Sequence, residues 1–255
     1  MLQNKKIVAF DLDGTLSVSK SPMTREMAVL LEKLAENQIV VIISGGTFKQ
    51  FSTQFLPAFG KEDFSPSFVK NLILLPTSGS QRYEYDLEKK EWALTDLEKF
   101  PDEVKEKAKK VLKEIIDSNL YDIPNNPTGE YVEDRLTQLS ISALGQDAPI
   151  EQKKLWDPDQ KKRQKIKLVL EKELPETSII IGGTTTVDIL AKGFTKAVGL
   201  MRLLDKLNLK KEDMLFVGDA IFPGGNDYSA YEAGIDVVKV DGPVDTAEYI
   251  NQWTS

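Results

Sequence analysis

The stretch "IVAFDLDGTLSVS", Ile7–Ser19, decides how the rest of the chain is read. Four apolar residues in a row, Ile7 to Phe10, read as a strand buried on both faces, as in a parallel sheet. Two carboxylates follow, Asp11 and Asp13, one residue apart and ahead of Gly14 and Thr15. Like charges so close at a strand end repel one another unless a cation or an incoming anion's counter-ion resolves them. In an open α/β sheet ligands bind beyond the carboxyl ends of the strands, which is where this pair falls.

Similar apolar, β-branched runs recur along the chain: "QIVVIIS", "NLILLP", "DMLFVGD" and "GIDVVKV". Between "KIVAF" and "QIVVIIS" the stretch "TREMAVLLEKLAEN" carries Met27, Leu30, Leu31 and Leu34 at helical spacing, with Thr24 as its N-cap. Strand, helix, strand repeats predict a doubly wound α/β core. The middle of the chain differs. "SQRYEYDLEKKEWALT" predicts a hairpin, and "PDEVKEKAKKVLKEIIDSN" an amphipathic helix with Val104, Ala108, Val111, Leu112, Ile115 and Ile116 on one face. "GEYVEDRLTQLSISALG" and "TSIIIGGTTTVDILA" supply further strands, and "PDQKKRQKIKLVLEKEL" a further helix whose basic run reads as a solvated face. These blocks predict an α+β domain, residues 84–191, inserted into a core made of 1–83 and 192–255.

Composition narrows the chemistry. The 255 residues include no Cys and no His, which removes thiolate nucleophiles, disulfides, Ser-His-Asp triads and the commonest zinc ligands. A net charge of −7 argues against a nucleic-acid-binding face. No run approaches the length of a membrane span and the first residues do not read as a signal peptide, so a cytoplasmic protein is expected.

Two more strand ends carry reactive groups: Ser44-Gly45-Gly46-Thr47 after "QIVVII", and Asp219 after "DMLFVG", followed by "AIFPGGND" with Asp227. Carboxylates gathered without His or Cys select a hard cation, most simply Mg2+. One carboxylate beside a metal-held phosphate can attack phosphorus, and the second can protonate the leaving oxygen and then activate water. Ser44 and the glycine backbone after it suit phosphate oxygens. A lysine is needed against the developing charge. Each motif alone has an ordinary reading as a turn, a helix cap or a glycine-rich loop. Three of them in order, each at a strand end, do not.

Together "DLDGT", "SGG", a lysine and "GDxxxxxxND" resemble the haloacid dehalogenase-like phosphotransferase superfamily. That resemblance implies a Rossmann-like core, Asp11 as nucleophile and Asp13 as general acid/base. It implies Mg2+ held by Asp11, the Asp13 carbonyl and Asp219, with Asp227 in support, and phosphate bound at Ser44 and Gly45. Its lysine matches Lys196 in "KGFTKAVGL", with Lys192 as the alternative. The insert's position resembles subfamily IIB, whose large α/β cap closes over the site and reads the non-phosphate part of the substrate. "VGDAIFPGGNDYSAYEAG" is especially similar to eukaryotic-type phosphomannomutases, and this likeness places Arg135 and Asp188 on sugar-phosphate and sugar-hydroxyl ligands. Two mutase arginines are replaced, by Thr128 and Gln146, with Lys153, Lys154 and Arg163 as possible substitutes. The reading expected is a Mg2+-dependent phosphatase acting on a small phosphorylated metabolite, a sugar phosphate. A phosphomannomutase-like isomerase is the alternative, and a non-catalytic phospho-ligand module the third. Neither a nucleic acid nor a membrane is an expected partner, and both a monomer and a cap-mediated homodimer are compatible with the sequence.

Overall fold

The computed structural model describes residues 4–18, 21–60, 64–118, 120–182 and 184–254. Ser19, Asn119 and Gly183, at the edge of or within segments quoted above, lie outside them. The chain divides into two compact units, one of residues 1–97 and 195–255, the other Glu98–Phe194.

The first unit is built on a seven-stranded sheet. In chain order its strands are β1 (Ile7–Asp11), β2 (Ile39–Ile43), β3 (Leu72–Leu75), β4 (Gln81–Asp86), β5 (Glu91–Leu97), β10 (Met214–Gly218) and β11 (Asp236–Lys239). They lie in the order β11-β10-β1-β2-β3-β4-β5, parallel from β11 to β3. β1 is the middle of the five parallel strands, pairing Ile7 with Met214 on one side and with Ile39 on the other. The order reverses there, so the carboxyl end of β1 is the topological switch point of the sheet.

Both faces are covered, which is why the strands are apolar throughout. Val8, Phe10, Val40, Ile42, Leu215 and Val217 pack beneath Met27, Leu31 and Leu34 of α1 (Arg25–Leu34) and Ile250 of α9 (Pro243–Thr254). Ile7, Ala9, Val41, Ile43, Met214 and Phe216 pack against Leu200, Leu203 and Leu204 of α7 (Lys196–Leu207). This is the doubly wound α/β arrangement that the strand pattern predicts, and the Rossmann-like core that the resemblance implies. The Thr24 side chain accepts a hydrogen bond from Met27 N, as the expected N-cap of α1. After β2 the chain enters α2 (Phe48–Gln50), widens into a π-turn over Phe51–Phe55 and tightens into a 3-10 turn over Leu56–Phe59. α3 (Pro66–Lys70) precedes β3, and α8 (Tyr228–Glu232) precedes β11.

The second unit has an antiparallel sheet, order β6-β7-β9-β8, made of β6 (Val132–Asp134), β7 (Gln138–Ser142), β8 (Thr177–Gly182) and β9 (Thr186–Ala191). Leu139, Ile141, Val187 and Ile189 of this sheet pack against α4 (Asp102–Asp117) and α6 (Lys161–Glu173). α5 (Ile150–Trp156) lies between β7 and α6 in sequence. Alternation sends Gln138, Ser140 and Asp188 to the other face.

Two expectations are corrected. The insert does not begin at residue 84, because the predicted hairpin is β4–β5 and extends the first unit's sheet. β4 pairs antiparallel to β3, Leu74 against Tyr83, and Tyr83 stacks on Phe48 with ring centroids 4.1 Å apart. The second unit therefore runs from Glu98 to Phe194, three residues past the expected end. The basic run of α6 is not wholly solvated either. Arg163 is 3% exposed and donates to Asp157 Oδ2 at 2.9 Å, to Asp157 O and to Gly182 O. Among the described residues, no helix is long and apolar enough to cross a membrane.

Candidate active site

Asp11 is the last residue of β1 and is 4% exposed. Its position is odd-numbered along the strand, like Ile7 and Ala9, so it lies on the α7 face. Lys196, 2% exposed, is the first residue of α7, whose start is capped by the Thr195 side chain accepting from Val198 N. The Lys196 ammonium donates to Asp11 Oδ1 and, at 2.6 Å, to Asp227 Oδ1. Asp227, fully buried just before α8, accepts on its other oxygen from Ala220 N at 3.1 Å. Asp219 follows β10; its backbone N–H donates to Thr15 Oγ1, whose hydroxyl lies 3.3 Å from Asp219 Oδ1. Gly14, at φ +85°, runs so close to Asp219 that a β-carbon would meet Oδ2 at 2.5 Å.

Ligand oxygens of Asp11, Asp219 and Asp227 lie within 4.8 Å of one another. Three carboxylates face one ammonium, so the cluster is electrostatically incomplete. Burial is the main influence on Asp11 and pushes its carboxyl up to about 7; Lys196 pulls it down, while Asp227 and Asp219 push it up. Burial works against the charge of Lys196, but Asp11 and Asp227 outweigh it and hold the ammonium above the ordinary lysine range. An all-oxygen donor set with excess negative charge fits a hard divalent cation such as Mg2+. The Asp13 carboxylate is outside this trio. It accepts from the Gln50 and Gln54 side chains.

Ser44 is buried at the end of β2, and its hydroxyl accepts from Gly46 N at 3.1 Å, while Gly45 is exposed. A neighbouring segment holds this loop. Thr77 N donates to Gly46 O and Ser78 N to Ser44 O, both at 2.8 Å, from a run of left-handed residues, Thr77, Ser78 and Gly79. Strained backbone of this kind clusters at functional sites.

Asp11, Asp13, Ser44, Gly45, Lys196, Asp219 and Asp227 all belong to the first unit. Lys192 does not join Asp11; it is in the second unit, where its ammonium donates to Pro175 O. Arg135 and Asp188, also in the second unit, come together at 3.8 Å, and Arg135 pairs with Glu133 at 2.8 Å. Burial raises the Asp188 carboxyl and Arg135 opposes it. Thr128 and Gln146 lie in two strands of loop joined through backbone: Thr128 N donates to Leu144 O, Asp147 N to Thr128 O and Gln146 N to Glu130 O. Of the substitute cations, Arg163 is committed to Asp157, Lys154 pairs with Glu151, and Lys153 donates to Gln146 O at 2.7 Å. Sequence reasoning missed Gln50, Gln54 and Thr77–Gly79. The glutamines belong to no motif, and only the "PTSGS" run hinted at a turn.

Comparison with known proteins bears on the family and the fold. The family profile described as haloacid dehalogenase-like hydrolase matches residues 8–230. A phosphomannomutase of Encephalitozoon cuniculi (strain GB-M1) is 28% identical over 258 residues, covering 97% of this chain and 93% of that relative. A phosphomannomutase of Spinacia oleracea is 28% identical over 254 residues, with 94% and 92% covered. Among solved structures, Plasmodium falciparum IMP-nucleotidase superposes with a TM-score of 0.70 at 13% identity, covering all of this chain and 63% of that one. A haloacid dehalogenase-like hydrolase from Bacteroides thetaiotaomicron gives 0.61 at 16% identity, with 98% and 99% covered. These structural likenesses speak to the fold.

Proposed function

This chain belongs to the haloacid dehalogenase-like hydrolase family, and from that premise we propose that it is a Mg2+-dependent phosphatase of a small phosphorylated metabolite, a sugar phosphate, working in the cytoplasm through a phospho-aspartate. It is an enzyme acting on phosphates. The observation that carries the finer reading is the buried Lys196 bridging Asp11 and Asp227, with Asp13, two residues on, held separately by Gln50 and Gln54.

Asp11 attacks phosphorus, and the bond from phosphorus to the substrate oxygen breaks as Asp13 gives that oxygen its proton. Water then attacks the phosphorus of phospho-Asp11 and passes a proton to Asp13. The bond to Asp11 breaks, and inorganic phosphate and the alcohol are the products. Lys196 keeps Asp11 oriented and offsets charge as it builds. Ser44 and the N–H groups after it hold phosphoryl oxygens. Mg2+, when held by Asp11, the Asp13 carbonyl and Asp219 with Asp227 in support, supplies neutralisation of the phosphoryl charge. Substrate selection is assigned to the second unit, with Arg135 and Asp188 among its contacts.

A phosphomannomutase-like activity is the second reading, favoured by the relatives and by Lys153 beside Gln146. Returning the phosphoryl group to a bisphosphate intermediate calls for strong anchoring of a second phosphate. One ammonium is a poorer bidentate anchor than two guanidinium groups, and Arg163 is already consumed. The test is a panel of phosphorylated metabolites with Mg2+, comparing wild type with Asp11→Asn. Phosphate release that falls on the order of 10^4-fold in the variant supports the assignment, and an unchanged rate removes Asp11 as nucleophile. In parallel, mannose 1-phosphate or glucose 1-phosphate is supplied with the matching bisphosphate. Isomer without net phosphate release would replace the phosphatase reading with the mutase.

A further inference from the structure

The hydrogen bonding around Asp13 is more elaborate than a surface carboxylate needs. Gln50 Nε2 donates to Asp13 Oδ2 at 2.5 Å, and Gln54 Nε2 donates to Asp13 Oδ1 at 2.9 Å. The remaining amide hydrogens are also placed: Gln50 Nε2 donates to Gln54 Oε1 at 2.8 Å and Gln54 Nε2 to Ser17 Oγ at 2.6 Å. Ser17 Oγ in turn lies 3.4 Å from Leu12 O. When ionised the carboxylate only accepts, so both amides present nitrogen to it, and each oxygen keeps a further lone-pair site for the proton that Asp13 exchanges. Gln54 is 4% exposed, Ser17 is buried, and Gln50 is partly accessible.

We propose that Gln50 and Gln54 are positioning residues that clamp the Asp13 carboxylate by both oxygens and set it for proton exchange with the leaving oxygen and the attacking water. This rests on the reading of Asp13 as general acid/base. A single hydrogen bond would leave the carboxylate plane free to turn about its last side-chain torsion, which is broad for Asp. Two donors from one helix remove that freedom before substrate arrives, and a poorly placed proton donor sacrifices much of what general acid catalysis supplies.

The clamp is also registered to the phosphate loop. Gln50 lies over Gly46, so closely that a β-carbon there would fall 1.4 Å from Gln50 Oε1. Gly46 N is the donor to Ser44 Oγ. Gln50 ends α2 and Gln54 lies within the π-turn over Phe51–Phe55 that continues it, and such turns recur at functional sites. One short helical segment thus fixes the acid/base relative to the phosphoryl cradle.

The test compares Gln50→Leu and Gln54→Leu with wild type and Asp13→Asn in rapid-quench first turnovers with Mg2+. Two substrates are used: an alkyl phosphate, whose alkoxide needs a proton to leave, and p-nitrophenyl phosphate, whose phenolate leaves without one. The glutamine variants are expected to slow the alkyl phosphate's first turnover about 10–100-fold, part of what a general acid contributes. Their first-turnover release of p-nitrophenol stays near the wild-type rate, and later turnovers slow because water still needs the base. Equal slowing of both substrates marks a merely structural role and overturns the proposal, as does no slowing of either. Gln50, the more accessible residue, gives the decisive variant if Gln54→Leu fails to fold. If Asp13→Asn leaves the alkyl phosphate's first turnover unchanged, the acid/base reading itself fails. If Asp13→Asn is slow while the glutamine variants match wild type, only the clamp fails.

Discussion

Lys196 is the residue on which the core cluster turns. Placing an ammonium at 2% exposure is costly unless it is fully paired, and both of its carboxylate partners are themselves buried. Lys196→Met would leave Asp11 and Asp227 without the ammonium that bridges them. Loss of one charge-stabilising donor at a reacting group lowers kcat about 10^2–10^3-fold, to be measured as phosphate release at saturating substrate. Lys196→Arg is expected not to rescue it, since the planar guanidinium needs room that a buried point charge does not. At this scale much of the site was legible beforehand. Asp11, Asp219 and Asp227 stand at strand ends or in a spaced motif, and chemistry demands a cation near them. Gln50 and Gln54 were not legible, because a neutral amide declares its purpose only through the partner it meets in space.

Among the elements, α6 shows how pattern misleads. "KKRQKIK" reads as a solvated face until Asp157 is placed beside Arg163. Burial alone would push the Asp157 carboxyl up. The backbone N–H of Lys162, then the Arg163 side chain and backbone N–H, outweigh it and hold the carboxyl below its usual range. Asp157→Asn removes one partner of a buried pair and is expected to destabilise the second unit by about 3 kcal/mol, read by denaturant unfolding at neutral pH. A depressed carboxyl contributes its stability above the unfolded value and loses it as pH falls through the folded one. The gap between wild type and variant should therefore close on the acid side, below the usual carboxylate range. Gly199 in α7 gives a second case. Glycine to alanine in a helix interior ordinarily gains about 1 kcal/mol. Here a β-carbon would meet Ser78 O at 2.3 Å and Gly79 Cα at 2.7 Å. Gly199→Ala should lower Tm instead, and raise KM, because Ser78 and Thr77 hold the Ser44–Gly46 loop. The hairpin β4–β5 was visible in its alternation and charged turn, but alternation does not say which sheet edge a hairpin joins. That choice is made by long-range partners such as Phe48 against Tyr83.

For the whole molecule, a cation that completes the carboxylate cluster must stabilise the unit that forms it. At a Mg2+ concentration about a hundred times its Kd, binding contributes about 2.7 kcal/mol. Scanning calorimetry should show one transition moving up by about 5–10 °C with Mg2+, with Asp219→Asn abolishing the shift; an unmoved transition in wild type would contradict the metal site. The position of β1 carries a different kind of consequence. It is made well before one of its two neighbours, β10, because the entire second unit lies between them in sequence. While the ribosome is still at work, the newborn protein holds an apolar strand with one edge waiting for a partner. Such an edge invites pairing with strangers, and contacts between distant parts of a chain form slowly. The interval between the making of β1 and that of β10 is thus the enzyme's period of vulnerability during synthesis, when chaperones have reason to attend it.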